Sequence, residues 1–308
     1  MPFQHYPHIM SGSYGKGILF AFSAYLIWGF LPLYWRALAE IRALHLLGFR
    51  IVLSLVFVAA ILFACKRFSW ILFFKDRRRG FQLVLASLTV TFNWGLFIWA
   101  VNAGRSIEAS LGYYINPMVV VVIGLFFFKE KLVLMQKIAV VLALTGVLTL
   151  TILSGTPPWI SFALAFCFSI YSLLKKNIDM PAFESLAVET LITTPFGLLL
   201  FFVPGVSYFF TGESGIGYMA ELPRITLLIL FFCGFATTMP LYFFTRSAQL
   251  LPLSTLGFIQ FLSPTMTFLI GFFVFGEYFP WYNFIAFGFI WAAVIMYIAS
   301  LYVAPKRK

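Results

Sequence analysis

Polar side chains lie beside prolines at two places inside long apolar runs. In the first run Asn116 precedes Pro117, and in the second Ser263 precedes Pro264, with Gln260 about one helical turn earlier. A proline inside a helix removes one backbone hydrogen bond and opens the turn before it. Amide and hydroxyl groups beside such an opening can hydrogen-bond a polar solute. The two stretches therefore predict a binding site with Pro117 and Pro264 as helix breaks; the alternative is that each proline only bends its helix against small neighbours.

Arg50 and Glu189 are charged residues that lie some way inside apolar runs. A charge left alone in hydrocarbon costs at least about 2.5–3.5 kcal/mol, so both side chains should face the protein interior. We predict that they neutralise each other as a charge pair or share a water-filled cavity. Two roles remain open, namely a static ion pair that fixes the bundle, and substrate contact or proton coupling by Glu189.

Catalytic constellations are missing from the sequence. There is no cluster of His, Asp or Glu at metal-ligand spacing, no phosphate-binding loop of the P-loop kind and no serine elbow. The three cysteines are odd in number and have no metal-ligand spacing. The sequence therefore predicts no catalytic residues, no metal, no cofactor and no ATP hydrolysis within this chain.

Composition determines which elements must hold these residues. The chain has 308 residues, of which 62% are apolar and only 10% charged, and it contains 40 phenylalanines. Soluble domains are about half apolar and about a quarter charged. A globular core could not hide so many phenylalanines from water, whereas lipid can surround them. We therefore predict a membrane protein whose main partner is the lipid bilayer.

Ten apolar runs are long enough to cross about 30 Å of hydrocarbon as helices. They are continuous, whereas the strands of a membrane β-barrel are short and alternate in polarity. The longest connection, about 204–223, is too short for a hidden soluble domain. We predict an all-α membrane protein with spans at about 17–36, 44–65, 81–101, 108–128, 134–153, 157–174, 185–203, 224–245, 253–275 and 281–303.

Charge orients these spans. With the N-terminus in the cytoplasm, 16 basic residues lie on the cytoplasmic side and only four in the opposite loops. This is the positive-inside pattern, so we expect both termini in the cytoplasm. The same distribution explains the net charge of +11. Because the basic residues flank spans along the whole chain, we expect no nucleic-acid partner.

The fourth and ninth spans repeat each other. Aligning Pro117 with Pro264 also aligns Gly124 with Gly271, and a glutamate ends the match in both spans. Five spans separate the two copies, so the chain is predicted to consist of two five-span halves. An odd number of crossings in each half means that the second half enters from the opposite face of the membrane. The repeat is therefore inverted.

Inverted repeats are typical of secondary transporters, which bind substrate near the membrane midplane where the halves meet. We predict two domains, a first five-helix repeat over 1–155 and a second, inverted one over 156–308. The uncharged segment "SGTPP" joins them.

The chain also resembles a known family. Its likeness to the RarD branch of the EamA family, in the drug/metabolite transporter (DMT) superfamily, extends from about 17 to 300. That resemblance implies ten spans in two inverted halves around a central cavity, in the bacterial cytoplasmic (inner) membrane, exporting or exchanging small metabolites. The chain departs from the branch at Phe49 and Leu53, where histidine and tryptophan are expected. The resemblance is carried by "AYLIWGFLPLY" (24–34), "NWGLFIWAVNAGRSIEASLGYYINP" (93–117), "LAFCFSIYSLLKK" (164–176), "VETLITTP" (188–195) and "STLGFIQFLSPT" (254–265).

The combined prediction is a monomeric secondary transporter that works by alternating access on amino acids or drug-like amphipathic solutes. Uphill transport would need a coupling ion such as H⁺, or exchange. The alternatives are a passive channel or facilitator, and a membrane protein with no transport activity. Spans one, three, four, six, eight and nine should line the cavity. The candidate substrate-binding residues are Trp28, Asn93, Trp94, Tyr113, Tyr114, Asn116, Tyr171, Thr238, Gln260 and Ser263.

Overall fold

The computed structural model describes residues 12–67, 76–103, 105–155, 159–202 and 222–303, and these ranges contain helices and no strand. The all-α class is therefore confirmed. The helices are α1 (Gly12–Arg36), α2 (Ala43–Ala64), α3 (Arg77–Asn102), α4 (Ser106–Phe127), α5 (Leu134–Leu153), α6 (Trp159–Asn177), α7 (Ala182–Phe202), α8 (Arg224–Phe231), α9 (Cys233–Leu250), α10 (Leu253–Gln260), α11 (Leu262–Phe273) and α12 (Trp281–Val303).

The helices form ten crossings. Nine stretches within the described ranges are long and apolar enough to span a bilayer, and two of these combine consecutive helices, α8 with α9 and α10 with α11. The remaining crossing is α7, which has 21 residues. At about 1.5 Å per residue this helix is about 31 Å long, which also matches the hydrocarbon thickness. The ten spans follow one another as the sequence predicts.

The two prolines act differently. Pro117 lies inside α4, which continues through it, so the predicted break at Pro117 is wrong. The ninth crossing is divided into α10 and α11 at Phe261, three residues before Pro264. A proline removes only one backbone hydrogen bond, and helices in membranes tolerate it where neighbouring helices compensate. The backbone of α10 packs closely on α4 here, because a side chain on Gly257 would meet the carbonyl oxygen of Pro117.

Most helix contacts are retained when the first five crossings are exchanged with the last five; the contact of α6 with α9 is an exception, because α1 and α3 make no contact of comparable extent in the described ranges. Three contacts map onto themselves under this exchange: α2 with α7, α4 with α10, and α5 with α12. Other contacts change places in pairs. The contact of α1 with α9 corresponds to that of α6 with α3, and the contact of α4 with α6 corresponds to that of α11 with α1. The packing thus has the pseudo-two-fold arrangement expected of inverted halves. The predicted boundary between 155 and 156 adjoins residues outside the described ranges.

The fourth and ninth crossings also end alike. The N–H of Glu130 donates to the carbonyl of Gly124 at 3.2 Å, and the N–H of Glu277 donates to that of Gly271 at 2.9 Å. In both, the residue before the glutamate has a positive φ, 52° and 66° respectively. The two helices thus end in the same way, with a left-handed residue followed by an N–H that bonds to the carbonyl six residues earlier. The repeat seen in the sequence is therefore also a repeat of backbone conformation.

Glu130 links the two halves directly. Its carboxylate accepts hydrogen bonds from the N–H groups of Leu253 at 2.7 Å and Ser254 at 2.9 Å, which open α10. A negative charge at a helix N-terminus satisfies free N–H groups and interacts favourably with the helix dipole. Glu130 thus lies beyond the end of α4 and caps the start of α10.

Glu130→Gln is expected to lower the free energy of unfolding by about 1–2 kcal/mol, because the charge-assisted hydrogen bonds to α10 become neutral ones. The melting temperature of the purified protein in detergent measures this effect. Glu277→Gln is the matched control, since Glu277 is exposed in the equivalent cap. Equal losses in the two variants would contradict the capping role of Glu130.

Candidate functional site

The guanidinium of Arg50 lies among aromatic side chains in the part of α2 nearer to its start. Its central carbon is 4.8 Å from the ring centre of Trp35 and 4.6 Å from that of Trp94. Its Nε donates a hydrogen bond to the hydroxyl of Thr237 at 3.3 Å. Helices α1, α2, α3 and α9 thus meet around one cation. Tryptophan faces carry negative charge density that stabilises a guanidinium by cation–π interaction.

The predicted charge pair between Arg50 and Glu189 is not formed. No carboxylate in the described ranges lies within ion-pair distance of Arg50. Its electrostatic neighbours are Cys233, Tyr113 and Tyr34, side chains that are ordinarily neutral at pH 7. The positive charge therefore has aromatic and hydroxyl neighbours, and no described anion balances it.

Glu189 is paired instead with Lys175. Both side chains are buried, and the Nζ of Lys175 forms a short salt bridge to the Oε1 of Glu189. The hydroxyl of Tyr171 donates to the other carboxylate oxygen at 2.9 Å. The hydroxyl of Ser185 accepts a hydrogen bond from Lys175 at 2.7 Å and donates to Glu189 at 2.8 Å. Every charge in this network thus has a partner.

Inversion of the repeat explains why Arg50 and Glu189 do not meet. Each lies seven residues after the first residue of its helix, α2 or α7. Because these helices cross the membrane in opposite directions, equal positions lie at opposite depths. At about 1.5 Å per residue, each residue is about 5 Å from the midplane, on different sides of it. We call the membrane face at which α1 begins the N-terminal face; Glu189 lies on that side and Arg50 on the opposite side.

Five aromatic residues pack together in the interior around the midplane, and two of them, Tyr171 and Phe244, lie on the side of the N-terminal face. They come from α1, α6 and α9, and their ring centres are 5.3 to 6.3 Å apart. This separation is typical of favourable aromatic packing. On the opposite side of the midplane, Tyr113 of α4 remains 38% exposed. The aromatic cluster consists of Tyr25, Trp28, Phe168, Tyr171 and Phe244.

Three buried amides join helices of the two halves. Asn116 accepts a hydrogen bond from the hydroxyl of Ser169 at 2.7 Å. Asn93 donates to the carbonyl of Leu164 at 2.9 Å. Gln260 accepts a hydrogen bond from the hydroxyl of Tyr25 at 3.4 Å. The three bonds connect α4 and α3 with α6, and α10 with α1.

Two apolar grooves open elsewhere on the described surface. One, of 570 Å³, is lined by α1 and the α8–α9 crossing, including Phe30, Tyr34 and Phe232. The other, of 630 Å³, lies between α3, α6 and α7 and includes Trp99 and Trp159. Neither groove is lined by Arg50 or by any predicted substrate-binding residue. Their apolar walls suit lipid chains rather than a polar solute.

Comparison with known proteins identifies the family. Residues 15–152 match the EamA-like transporter family. The "Protein RarD" of Escherichia coli (strain K12) is 34% identical over 293 residues, which are 95% of this chain and 97% of that protein. The "Uncharacterized transporter YojE" of Bacillus subtilis (strain 168) is 37% identical over 289 residues, covering 92% of this chain and 94% of the relative. The chain belongs to the RarD branch of the EamA-like transporter family.

A solved crystal structure has the same fold as this EamA-like transporter. It superposes with a TM-score of 0.69 over 93% of this chain and 98% of its own, at 17% sequence identity. Such low identity supports the shared fold alone. The relatives and the ten crossings together make this EamA-like transporter a multi-pass membrane transporter.

The structure distributes the predicted site residues of this EamA-like transporter over three places. Trp94 and Tyr113 lie near Arg50, while Trp28 and Tyr171 belong to the aromatic cluster, where Tyr171 also binds Glu189. The third group holds the remaining six residues.

That third group contains the three amides together with three hydroxyl residues, Tyr114, Ser263 and Thr238. The hydroxyl of Tyr114 donates to the carbonyl of Pro264 at 3.3 Å, and Ser263, beside it, is half-buried. Thr238 is buried, and its hydroxyl has no hydrogen-bond partner in the described part of the chain. Their roles in binding remain predictions.

Sequence reasoning missed Lys175, Trp35 and Thr237. Lys175 stands at the end of a span and was expected in a cytoplasmic loop. Its spacing carried a signal, because Tyr171 and Lys175 are four residues apart, as are Ser185 and Glu189. Residues four apart share one face of a helix, so the two pairs could have been matched across α6 and α7. Trp35 and Thr237 carried no comparable signal.

Proposed function

We propose that this protein is a secondary transporter that moves small organic metabolites, such as amino acids or drug-like amphipathic solutes, by alternating access. The observation that carries the proposal is the exchange symmetry of helix packing around α4 and the α10–α11 crossing. Because the second half repeats the first upside down, contacts that close one face have counterparts able to close the other. Two packings of similar energy are what alternating access requires.

The proposed state of the molecule is open toward the face opposite the N-terminus. The stacking of Tyr171 on Phe244 and the pair of Lys175 with Glu189 support closure at the N-terminal face. The half-buried Arg50 and the partly exposed Tyr113 support access from the other side. In the reverse state these closing contacts would separate. The buried ion pair of Lys175 with Glu189 is then a gate contact, which forms when the N-terminal face closes and breaks when it opens. We also propose that the Glu189 carboxylate couples H⁺ movement to transport.

Orientation and energy source complete the proposal. The charge asymmetry of the loops supports cytoplasmic termini in a bacterial inner membrane, so that the N-terminal face is cytoplasmic. The sequence contains no phosphate-binding loop and no clustered catalytic groups. We therefore propose export or exchange driven by a gradient, without enzymatic activity in this chain. A monomer suffices for this mechanism.

Counterflow in proteoliposomes tests the proposed function. Vesicles loaded with one unlabelled amino acid or related metabolite are diluted into the same labelled solute, and a panel of solutes is screened. We expect at least one solute to show saturable uptake that is stimulated by the internal solute. Flux that never saturates would favour a channel. Lack of flux for the whole panel, with folded protein in the vesicles, would favour a function other than transport.

Asn116→Ala and Gln260→Ala are each expected to lower the rate of counterflow by about tenfold, because each leaves a buried hydroxyl without its partner beside the proposed path, a loss of about 1–1.5 kcal/mol. The amount of protein in the membrane should not change. Asn177→Ala is the matched control, since that amide is exposed at the end of α6 and bonds only to its own helix. Unchanged counterflow in the first two variants would remove them from the site.

A further inference from the structure

We propose that the guanidinium of Arg50 binds a carboxylate group of the transported solute. The inference rests on the proposed transport function for its meaning, but it concerns binding and can be tested without flux. It assigns a solute class, small organic monoanions and zwitterions with an aromatic or apolar body, and it assigns the residue that holds the charged end.

The first observation is that the terminal nitrogens of Arg50 are free donors among the described residues. Nε of Arg50 is used by Thr237, and the tryptophan rings of Trp35 and Trp94 lie over the guanidinium carbon. The terminal nitrogens donate no hydrogen bond to a described residue. Arg50 is half-buried, and these nitrogens are not sealed within packed protein. A fork of parallel N–H donors at an open edge is the geometry that binds carboxylates in a bidentate manner.

The second observation is that no carboxylate among the described residues balances the charge of Arg50. Two other cations on the spans or at their ends have a carboxylate partner. Lys175 is paired with Glu189, and Arg105, which also lies over a tryptophan, binds Glu108 at 2.7 Å. Arg50 shares the aromatic contact of Arg105 but lacks the anion. Charges within membranes are ordinarily paired, face a water-filled path, or serve function, so an anion supplied by the solute accounts for this difference.

The chemistry around Arg50 limits the anion to one charge. Its electrostatic neighbours, Tyr34, Tyr113 and Cys233, add no second cation. A phosphate dianion would therefore bring an excess negative charge, whereas one carboxylate balances one guanidinium. The rings of Trp35, Trp94 and Tyr113 offer flat apolar surfaces to the rest of the solute. An aromatic or aliphatic acid fits both parts of the site.

Matched acid and amide probes test the proposal on the full-length protein in detergent. The three pairs are benzoate with benzamide, phenylacetate with phenylacetamide, and L-phenylalanine with L-phenylalaninamide. Binding is measured by titrating tryptophan fluorescence, since two tryptophans adjoin the guanidinium. We expect at least one acid to bind saturably and its amide to bind at least about tenfold more weakly, because the amide loses the charge-assisted hydrogen bonds. Equal binding within all pairs, or no binding of any acid, would overturn the proposal.

Substitutions separate a binding role from a structural one. Arg50→Lys keeps the charge but loses the fork, so acid affinity should fall by about tenfold, and Arg50→Gln should lower it by about 100-fold or more. Arg105→Lys is the matched control and should bind the acid as the wild type does. Melting temperatures within a few degrees of wild type show that the variants are folded. Unchanged acid affinity in folded Arg50→Gln would refute the assignment.

The outcomes for binding and transport are distinguishable. Wild-type protein that binds acids through Arg50 but shows no counterflow would support this inference and contradict the proposed transport. Saturable counterflow that Arg50→Gln leaves unchanged would support the proposed transport and contradict this inference.

Discussion

Lys175→Met alone is expected to destabilise the protein by about 3–5 kcal/mol, more than the double substitution Lys175→Met with Glu189→Gln. The Lys175 side chain is fully buried, and its ammonium is bonded to Glu189 and Ser185. Removing the ammonium leaves a buried carboxylate without a counter-charge, and desolvation of that charge is the main cost. Removing both charges eliminates this cost. The glutamine can still accept the hydrogen bond from Tyr171.

Melting temperatures of the two variants in the same detergent measure the difference. Lys137→Met provides the matched control, because Lys137 is exposed on α5 and the same substitution should have little effect there. Two results would contradict the expectation: a single variant as stable as wild type, or a double variant as unstable as the single one. The first would mean that Glu189 finds another partner or protonates at little cost.

The same variants test the gate. If the pair of Lys175 with Glu189 closes the N-terminal face, the double variant should be folded but should show altered counterflow, because the closed state has lost an ionic contact. A purely structural pair would leave counterflow at the wild-type rate once stability is restored. Stability and counterflow together therefore distinguish a purely structural ion pair from one that closes the N-terminal face.

The fold could be predicted from the sequence because lipid imposes simple requirements. Each crossing must satisfy its own backbone and present apolar side chains, so it appears as a continuous apolar run. The repeat was visible from Pro117 and Pro264 and from the glycines and glutamates that follow them. Those glycines and glutamates form equivalent helix caps in the structure.

The site was less predictable because pairing of charges depends on depth as well as on span. Arg50 and Glu189 occupy equivalent positions, and that equivalence suggested a pair. In inverted halves the same equivalence separates them across the midplane. Lys175 was taken for a loop residue because a basic residue at the end of a span is typical of the cytoplasmic side. Only the packing of α6 against its neighbours shows that its ammonium turns into the protein.

The aromatic residues were the least informative part of the sequence for predicting the site. With 40 phenylalanines, 14 tyrosines and 8 tryptophans in the chain, any pocket would have aromatic walls. What distinguishes Trp35 and Trp94 is the cation between them and not their type. The packing that brings Arg50 to Thr237 is equally hidden in sequence, because it depends on how closely α2 and α9 approach. That approach leads to the second large prediction.

Gly234→Ala is expected to destabilise the protein and to weaken the Arg50 site at the same time. A Cβ atom on Gly234 would lie 2.3 Å from the carbonyl oxygen of Leu53 and 2.5 Å from its carbonyl carbon. These are backbone atoms of α2, so no side chain can move aside and the two helices must separate. Overpacking typically costs about 1–3 kcal/mol, and we expect the upper end here.

Gly288→Ala is the control, because nothing lies within 4 Å of a Cβ at that helical position. There the change should be neutral or stabilising by up to about 1 kcal/mol, since alanine favours helix more than glycine does.

The effect of Gly234→Ala on the Arg50 site follows from residue spacing along α2 and α9. Leu53 lies three residues after Arg50 and Thr237 three residues after Gly234, so one helical turn joins the close contact to the Arg50–Thr237 hydrogen bond. Separation of α2 and α9 should therefore weaken acid binding as well as lower the melting temperature. A folded Gly234→Ala protein with wild-type stability would show that the helices do not approach so closely. A loss of stability with unchanged acid affinity would show that the helix crossing does not position Arg50.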